Sequence, residues 1–355
     1  MRKKTFIVIS LWAVAALCWA FVFALRYTNR TVFVHTVDLE SMPGIRVLDA
    51  NNATFQILRM KPNRVEIKWK ESSINLKESK CRVKKLDYQS VHVMAGFNNK
   101  QYRMAIDSGY YGEVLVNDVF VIENDLKIYP LETGDLFVAG LCHVDKIEIG
   151  DMTITTPLCF YKLNHYEWRV LGLTIWKQRQ IIFGVQLMRQ FRYVLIDNIA
   201  AEVEFSKQES FEADPVETWR HYQMSIENDK KNIARLMIEI PIAGEKTKIM
   251  FDTGHNSTLV MAENKWKKLS TKLHVVEETN DRAQMPYGWN DIKRITVREL
   301  CIGKKNISEA SIDVFNDDNK YGPDFFLLGM ECFKDTVIVL DFEHNLLWVR
   351  KPHSL

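Results

Sequence analysis

The chain has 355 residues, 47% hydrophobic and 26% charged, a balance that suits two ordinary domains and excludes a disordered or collagen-like polymer. Lys and Arg total 47 against 45 Asp and Glu, so the net charge of +2 supplies no basic field, and neither DNA nor RNA is an expected partner. Six cysteines are too few for a disulfide scaffold, and none falls in C-x-x-C or Cys/His zinc spacing, so no metal and no cofactor is expected.

At the N-terminus Arg2, Lys3 and Lys4 precede an uncharged apolar run over 6–25, closed by Arg26. Twenty residues at ~1.5 Å each match the ~30 Å core of a bilayer. The run exceeds the usual signal-peptide core of about 7–15 residues, and no A-x-A cleavage site follows it. Residues 1–28 are therefore expected to be a cytoplasmic tip and a transmembrane signal-anchor helix, with a cleaved signal peptide as the alternative. Leu17, rather than a small residue, precedes Cys18, which is read as a lipid-buried residue and not as a lipoprotein site. The basic tip favours a single-pass protein whose main domain lies on the extracytoplasmic side, periplasmic or extracellular/lumenal. Without those three cations the remaining chain carries a net −1.

Residues 29–89 read as a membrane-proximal β segment with alternating stretches at 54–58 and Arg64–Trp69. Whether it extends the sheet that follows or forms a stalk is open. Beyond it, short apolar stretches punctuated by Gly and Asn, such as 90–94, 104–106 and 235–242, predict an all-β architecture. Two short helices are expected at 117–124 and 262–273, where Trp266, Leu269 and Leu273 share a face. The polar stretch 207–232, with Pro215, is read as a linker between two halves.

Those halves repeat a pattern. Arg103-Met104-Ala105-Ile106 runs into Asp107-Ser108-Gly109, and Lys248-Ile249-Met250-Phe251 runs into Asp252-Thr253-Gly254. Downstream, Ile182-Phe183-Gly184 and Leu327-Leu328-Gly329 are matching apolar-apolar-Gly triplets, each Gly 77 positions after its Asp. Ten residues beyond each Gly come Val194-Leu195 and Val339-Leu340. Looser matches, with spacings that differ by several residues, occur at 147–150 and 301–303.

At these residues, over 90–350, the sequence resembles the aspartic proteases, with the retropepsin-like lobe used twice in one chain. The resemblance implies a bilobal acid-protease fold with lobe 1 at 90–206 and lobe 2 at 233–355. It implies that Asp107 and Asp252 are the catalytic pair, that Ser108 and Thr253 interlock the two loops, and that Gly109 and Gly254 permit their close approach. It implies an aspartic endopeptidase acting on a polypeptide in extended conformation, with a flap for which Tyr287, Gly288 and Trp289, or 134–140, are candidates. Two carboxyls sharing one proton supply both a general acid and a general base, without a metal. The pattern departs from the family where Tyr110-Tyr111 and His255-Asn256 follow the motifs in place of a small residue. A catalytically silent peptide-binding relative of the same fold is therefore the alternative reading, and a structural envelope protein that keeps only the fold is a third.

The remaining residues carry plainer expectations. Nine scattered histidines, among them His143, His165 and His255, show no ligand spacing. Cys81, Cys142, Cys159, Cys301 and Cys332 can pair or stay free. Asn29, Asn52, Asn256 and Asn306 sit in glycosylation sequons, and a glycan at Asn256 would crowd the proposed pair.

Overall fold

The computed structural model describes residues 28–34, 46–47, 55–61, 64–69, 72–87, 90–130, 140–162, 164–171, 173–228, 234–285, 288–316 and 322–350. The apolar run 6–25 lies outside them, and among the described residues no helix is long and apolar enough to cross a membrane. The architecture is β-rich: an 11-stranded and a 13-stranded sheet dominate, beside a three-stranded sheet and the hairpin Phe55–Lys61/Arg64–Trp69.

Burial explains why these segments are strands. Along Ala234–Ile242 every second residue, from Ala234 through Ile238 to Ile242, is buried, the period-two signature of a strand with one face on a core. Val114–Asn117 has lost the alternation because it is central and covered on both faces. The two expected helices fall at Asp118–Glu123, where the Asn117 side chain caps the Phe120 N–H, and at Glu263–Ser270, which buries Trp266, and short helical turns follow the two apolar triplets at Val185–Met188 and Met330–Phe333.

The two large sheets repeat one motif. In the 11-stranded sheet the strands Cys159–Lys162, Val114–Asn117, Ile181–Gly184, Lys100–Asp107 and His92–Phe97 lie side by side in that order. The 13-stranded sheet repeats the order with Lys305–Phe315, Leu259–Ala262, Phe326–Leu328, Glu245–Phe251 and Ala234–Ile242. Strand directions match too: Phe183 pairs in parallel with Ile106, and Leu328 with Phe251, 145 positions further on. Even the tight turns correspond. Asn98 and Asn99 have φ of 48° and 61°, while Ala243 and Gly244, again 145 positions on, have 48° and 84°. Positive φ at both central residues is the two-residue hairpin geometry whose twist suits antiparallel strands.

The equal 77-residue spacing conceals two opposite length changes. Cys159 pairs with Val114 and Ile312 with Leu259, so the offset there is 153 and the second half has gained eight residues in the helix and hairpin between. The first half regains eight between Lys162 and Ile181, where it adds the hairpin Asn164–Val170/Leu173–Lys177.

One ladder joins the halves. Tyr193–Asp197 pairs antiparallel with Val337–Asp341, with Val194 opposite Leu340 and Leu195 opposite Val339. Moving 194 and 195 by 145 positions gives 339 and 340, so each pair maps onto the other and a pseudo-twofold axis passes through the ladder.

Two segments do more than their sequence indicated. The 207–232 stretch, read as a linker, contains the strand Trp219–Asn228, paired with Ala234–Ile242 on one side and Leu346–Arg350 on the other. Tyr222, Met224 and Ile226 carry its apolar face onto the core, a period-two signal diluted by polar neighbours. Within 29–89, Ser73–Leu76 closes an edge of the 11-stranded sheet and Lys80–Lys84 an edge of the 13-stranded one. The five described cysteines are free thiols, with Cys142 and Cys159 cross-strand neighbours whose sulfurs lie 3.1 Å apart.

The joining ladder predicts a shared stability. Leu340 is fully buried in it, so Leu340→Ala should cost about 2–5 kcal/mol. Circular dichroism should show one unfolding transition moved as a whole; two transitions, only one displaced, would mean that the halves fold independently.

Candidate active site

Asp107 ends the strand Lys100–Asp107, and Asp252 follows Glu245–Phe251. The Asp-Ser-Gly and Asp-Thr-Gly loops meet across the pseudo-twofold axis through a reciprocal set of hydrogen bonds. The Ser108 N–H donates to Thr253 Oγ1 at 2.9 Å, and the Thr253 N–H donates to Ser108 Oγ at 3.0 Å. Each hydroxyl then donates onward, Ser108 Oγ to the Phe251 carbonyl at 2.8 Å and Thr253 Oγ1 to the Ile106 carbonyl at 2.7 Å. Four polar groups in the interior are satisfied by two hydroxyls, because a hydroxyl both donates and accepts.

Gly109 and Gly254 are glycine for lack of space. A Cβ at Gly109 would lie less than 3.0 Å from all three carboxyl atoms of Asp252, and one at Gly254 less than 3.0 Å from those of Asp107. Each loop therefore presses its backbone against the opposing carboxyl group. Gly184 and Gly329 sit behind the loops at the ends of the apolar triplets. A Cβ there would collide with the carbonyl of Gly112 in one half and of Ser257 in the other. The next residue in each case, Val185 or Met330, donates its N–H to the carbonyl of Tyr110 or His255, at 2.9 and 2.8 Å.

The two carboxyl groups are half-buried and hydrogen-bonded to each other. Asp107 Oδ1 accepts from the N–H groups of Gly109 and Tyr110 at 2.9 and 3.1 Å, and Asp252 Oδ1 from that of Gly254 at 2.8 Å. Burial raises both above the ordinary carboxylate range. Asp107 is held well above it, first by burial, then by the charge of Asp252 and the hydrogen bond between them. For Asp252 burial is again the largest cause, and the hydrogen bond with Asp107, together with the backbone N–H groups, pulls the other way. This is the pattern of two like charges that share one proton, which belongs to the pair. No protein-family model matches the chain, and no curated protein matches it.

Beside the loops the side chains of the two halves differ. In the first half Tyr110 is buried against Leu115 and Ile182, with Tyr111 and Phe160 packed alongside. In the second half His255 takes the place of Tyr110. Its Nδ1 accepts the Ser257 N–H at 3.2 Å and faces Ser257 Oγ at 2.8 Å. Burial lowers the pKa of His255, while the carboxylates of Asp313 and Asp107 pull it up. Asp313, at the position of Phe160, accepts from Arg294 Nε at 2.9 Å, and Arg294 also bridges to Asp281. One wall is aromatic and the other carries a His, an acid and a cation. Tyr110 and His255 were visible in the sequence. Asp313 and Arg294 were not, since only the pairing of Gly288–Ile302 with Lys305–Phe315 sets them opposite each other.

Of the flap candidates, Tyr287 lies outside the described residues, as does most of 134–140. Gly288 and Trp289 begin a strand whose partner is Val275–Met285, with Met285 opposite Gly288, so they stand at the tip of that hairpin.

Thr253→Ala would remove the partner of two buried backbone groups, the Ser108 N–H and the Ile106 carbonyl. A loss of about 1–3 kcal/mol for each group left unsatisfied is expected in denaturant unfolding, with most of it restored in Thr253→Ser. A neutral Thr253→Ala would show that the loops are held together by something else.

Proposed function

We propose that the protein is an aspartic endopeptidase of bilobal acid-protease fold, built from two retropepsin-like lobes and anchored in a membrane by 6–25. The observation that carries this reading is the pair Asp107 and Asp252, two acids brought together with raised pKa values on two loops locked to each other across a pseudo-twofold axis. A structural role for the pair would not require two acids to be buried face to face, which costs stability at neutral pH.

In the proposed reaction an extended peptide lies between the two halves, and its scissile carbonyl sits over the pair beside a water. The ionised carboxylate, Asp252, takes a proton from the water as the oxygen attacks the carbonyl carbon. Asp107 gives its proton to the carbonyl oxygen, and a neutral tetrahedral diol forms. Asp252 then returns its proton to the amide nitrogen, one hydroxyl of the diol gives its proton to Asp107, and the C–N bond breaks. The pair ends as it began, with one proton. Strands lining the cleft offer backbone hydrogen bonds to an extended chain, and the contrast between the Tyr111–Phe160 wall and the His255–Asp313 wall distinguishes apolar from polar side chains on the two sides of the bond.

The test is cleavage of a peptide library by the full-length protein in detergent, followed by mass spectrometry. Wild-type protein should cut with a bell-shaped pH profile, because both the doubly protonated and the doubly ionised pair are inactive. The raised carboxyl pKa values place its alkaline limb above the range of isolated carboxylates. Asp107→Asn and Asp252→Asn should each lower kcat by about 10²–10⁴-fold or more. Intact peptides bound equally well by all three proteins and cut by none would favour the silent binding protein, with Tyr110 and His255 as its closing residues.

The same variants carry a stability prediction of defined sign. A carboxyl whose folded pKa is raised contributes fully below its unfolded value of about 3.9 and loses that contribution as pH rises through the folded value. Asp107→Asn, which removes the cost of keeping that acid protonated above its unfolded pKa, should therefore raise Tm at neutral pH, and the gain should vanish near pH 3. An equal gain at both pH values would contradict the raised pKa.

A further inference from the structure

The first half adds a hairpin that the second half lacks. Asn164–Val170 and Leu173–Lys177 form two strands of the three-stranded sheet, with Thr28–Val34 as the third. Leu171, Leu173, Ile175 and Trp176 are 62%, 73%, 60% and 43% exposed. Elsewhere among the described residues the exposed large apolar side chains occur singly or as the pair Val275–Val276. Leu171 at the turn, with Leu173 and Ile175 on one face of the edge strand, is a run of exposed apolar side chains that a water-facing hairpin does not carry without a partner.

The pairing register states where this patch lies along the chain. Thr28 is opposite Val170 and Val34 is opposite Asn164, so the strand enters the sheet at the hairpin's turn and runs toward its base. Only Arg26 and Tyr27 separate Thr28 from the end of the apolar run at Leu25. Three extended residues reach at most about 11 Å, and paired strands lie about 5 Å apart. Val170, the last residue before the turn, is therefore within about 16 Å of the point where the expected anchor leaves the bilayer. The base is fixed at the far end, where Asn117 Nδ2 donates to the Gln178 carbonyl at 2.6 Å and Arg179 pairs with Glu123. Glu167 is buried and accepts from Thr174 Oγ1 at 3.2 Å, which ties the two strands together.

We infer that the turn of this hairpin rests in the membrane interface beside the anchor, with Leu171, Leu173 and Ile175 in contact with lipid. The composition fits that depth. Trp176 stands further toward the base than Ile175, at the level where an amphipathic indole favours the boundary, and Lys177 follows it, where a cationic end reaches phosphate. Two attachments, the anchor and the hairpin, would fix the orientation of the body above the bilayer, which one flexible connection would not. The inference rests on the anchor reading of 6–25 and not on the chemistry of the Asp pair.

The experiment places an environment-sensitive nitrobenzoxadiazole label on the full-length protein in phosphatidylcholine/phosphatidylglycerol vesicles. One sample carries the label at the native Cys18 in a Cys301→Ser background, which removes the partly exposed thiol. The other carries it at Leu173→Cys in a Cys18→Ser, Cys301→Ser background, with Ile175→Cys as a second position. Doxyl-labelled lipid should quench Cys18 and position 173 alike, and aqueous iodide should quench neither. Iodide quenching at 173 with lipid quenching at Cys18 would leave the anchor intact and overturn the hairpin contact. A position 173 shielded from both quenchers would mean that protein, such as a second copy pairing with the edge strand Leu173–Lys177, covers the patch. A Cys18 label unquenched by lipid would remove the anchor and the hairpin contact together.

Discussion

Two carboxyl groups stay together in a half-buried site only if the chains that carry them are held more strongly than the acids repel. Here the holding is done by Ser108 and Thr253, each accepting the other's N–H and donating across the axis to the strand behind it. Most of the surrounding architecture serves this exchange. The parallel pairings of Ile181–Gly184 with Lys100–Asp107 and of Phe326–Leu328 with Glu245–Phe251 brace the loops from behind. The ladder between Tyr193–Asp197 and Val337–Asp341 fixes the two halves in the one relation that brings the loops face to face. Burial lifts both acids above the ordinary carboxylate range, with the charge of Asp252 adding to the rise at Asp107, so the pair favours keeping a proton.

Departures from the symmetry are as informative as the symmetry. A pure repeat would present identical walls to either side of a bound chain. Replacing Tyr110 by His255 and Phe160 by Asp313 makes one wall polar while leaving the loops untouched. The length changes are placed with similar economy. Eight residues gained by the second half lengthen the hairpin region around 275–302, and eight gained by the first half build the hairpin 164–177. Both fall outside the strands that hold the Asp loops, where an insertion does not disturb the register.

Much of this was legible in the sequence because it is local. The apolar run into Asp-Ser/Thr-Gly, the paired triplets ending in Gly184 and Gly329, and the alternation along 235–242 each need only a few neighbouring residues. The 77-residue coincidence pointed to the right repeat although it arises from compensating insertions, so the loops and triplets rather than the count are what correspond. What stayed hidden is non-local. The strand Trp219–Asn228 was obscured because His221, Gln223, Ser225 and Glu227 alternate with its apolar face and lower the mean hydropathy of the segment. The polar wall was obscured because Arg294 and Asp313 meet only through strand pairing 19 positions apart. Residues 29–89 were divided between a sheet extension and a stalk, and 72–87 proves to supply edge strands to both large sheets.

The account depends most on the shared proton. Site-resolved ¹³C NMR of the aspartate carboxyl carbons, followed through a pH titration with Asp107→Asn and Asp252→Asn as assignments, reads it directly. Asp107 and Asp252 should each report two titration steps, common to both signals, with the second above the usual carboxylate range. In either Asn variant the remaining acid should titrate in a single step, at a pH different from both. Two independent single-step curves in the wild-type protein, each near 3.9 and unaffected by replacement of the partner, would contradict a shared proton and the chemistry built on it.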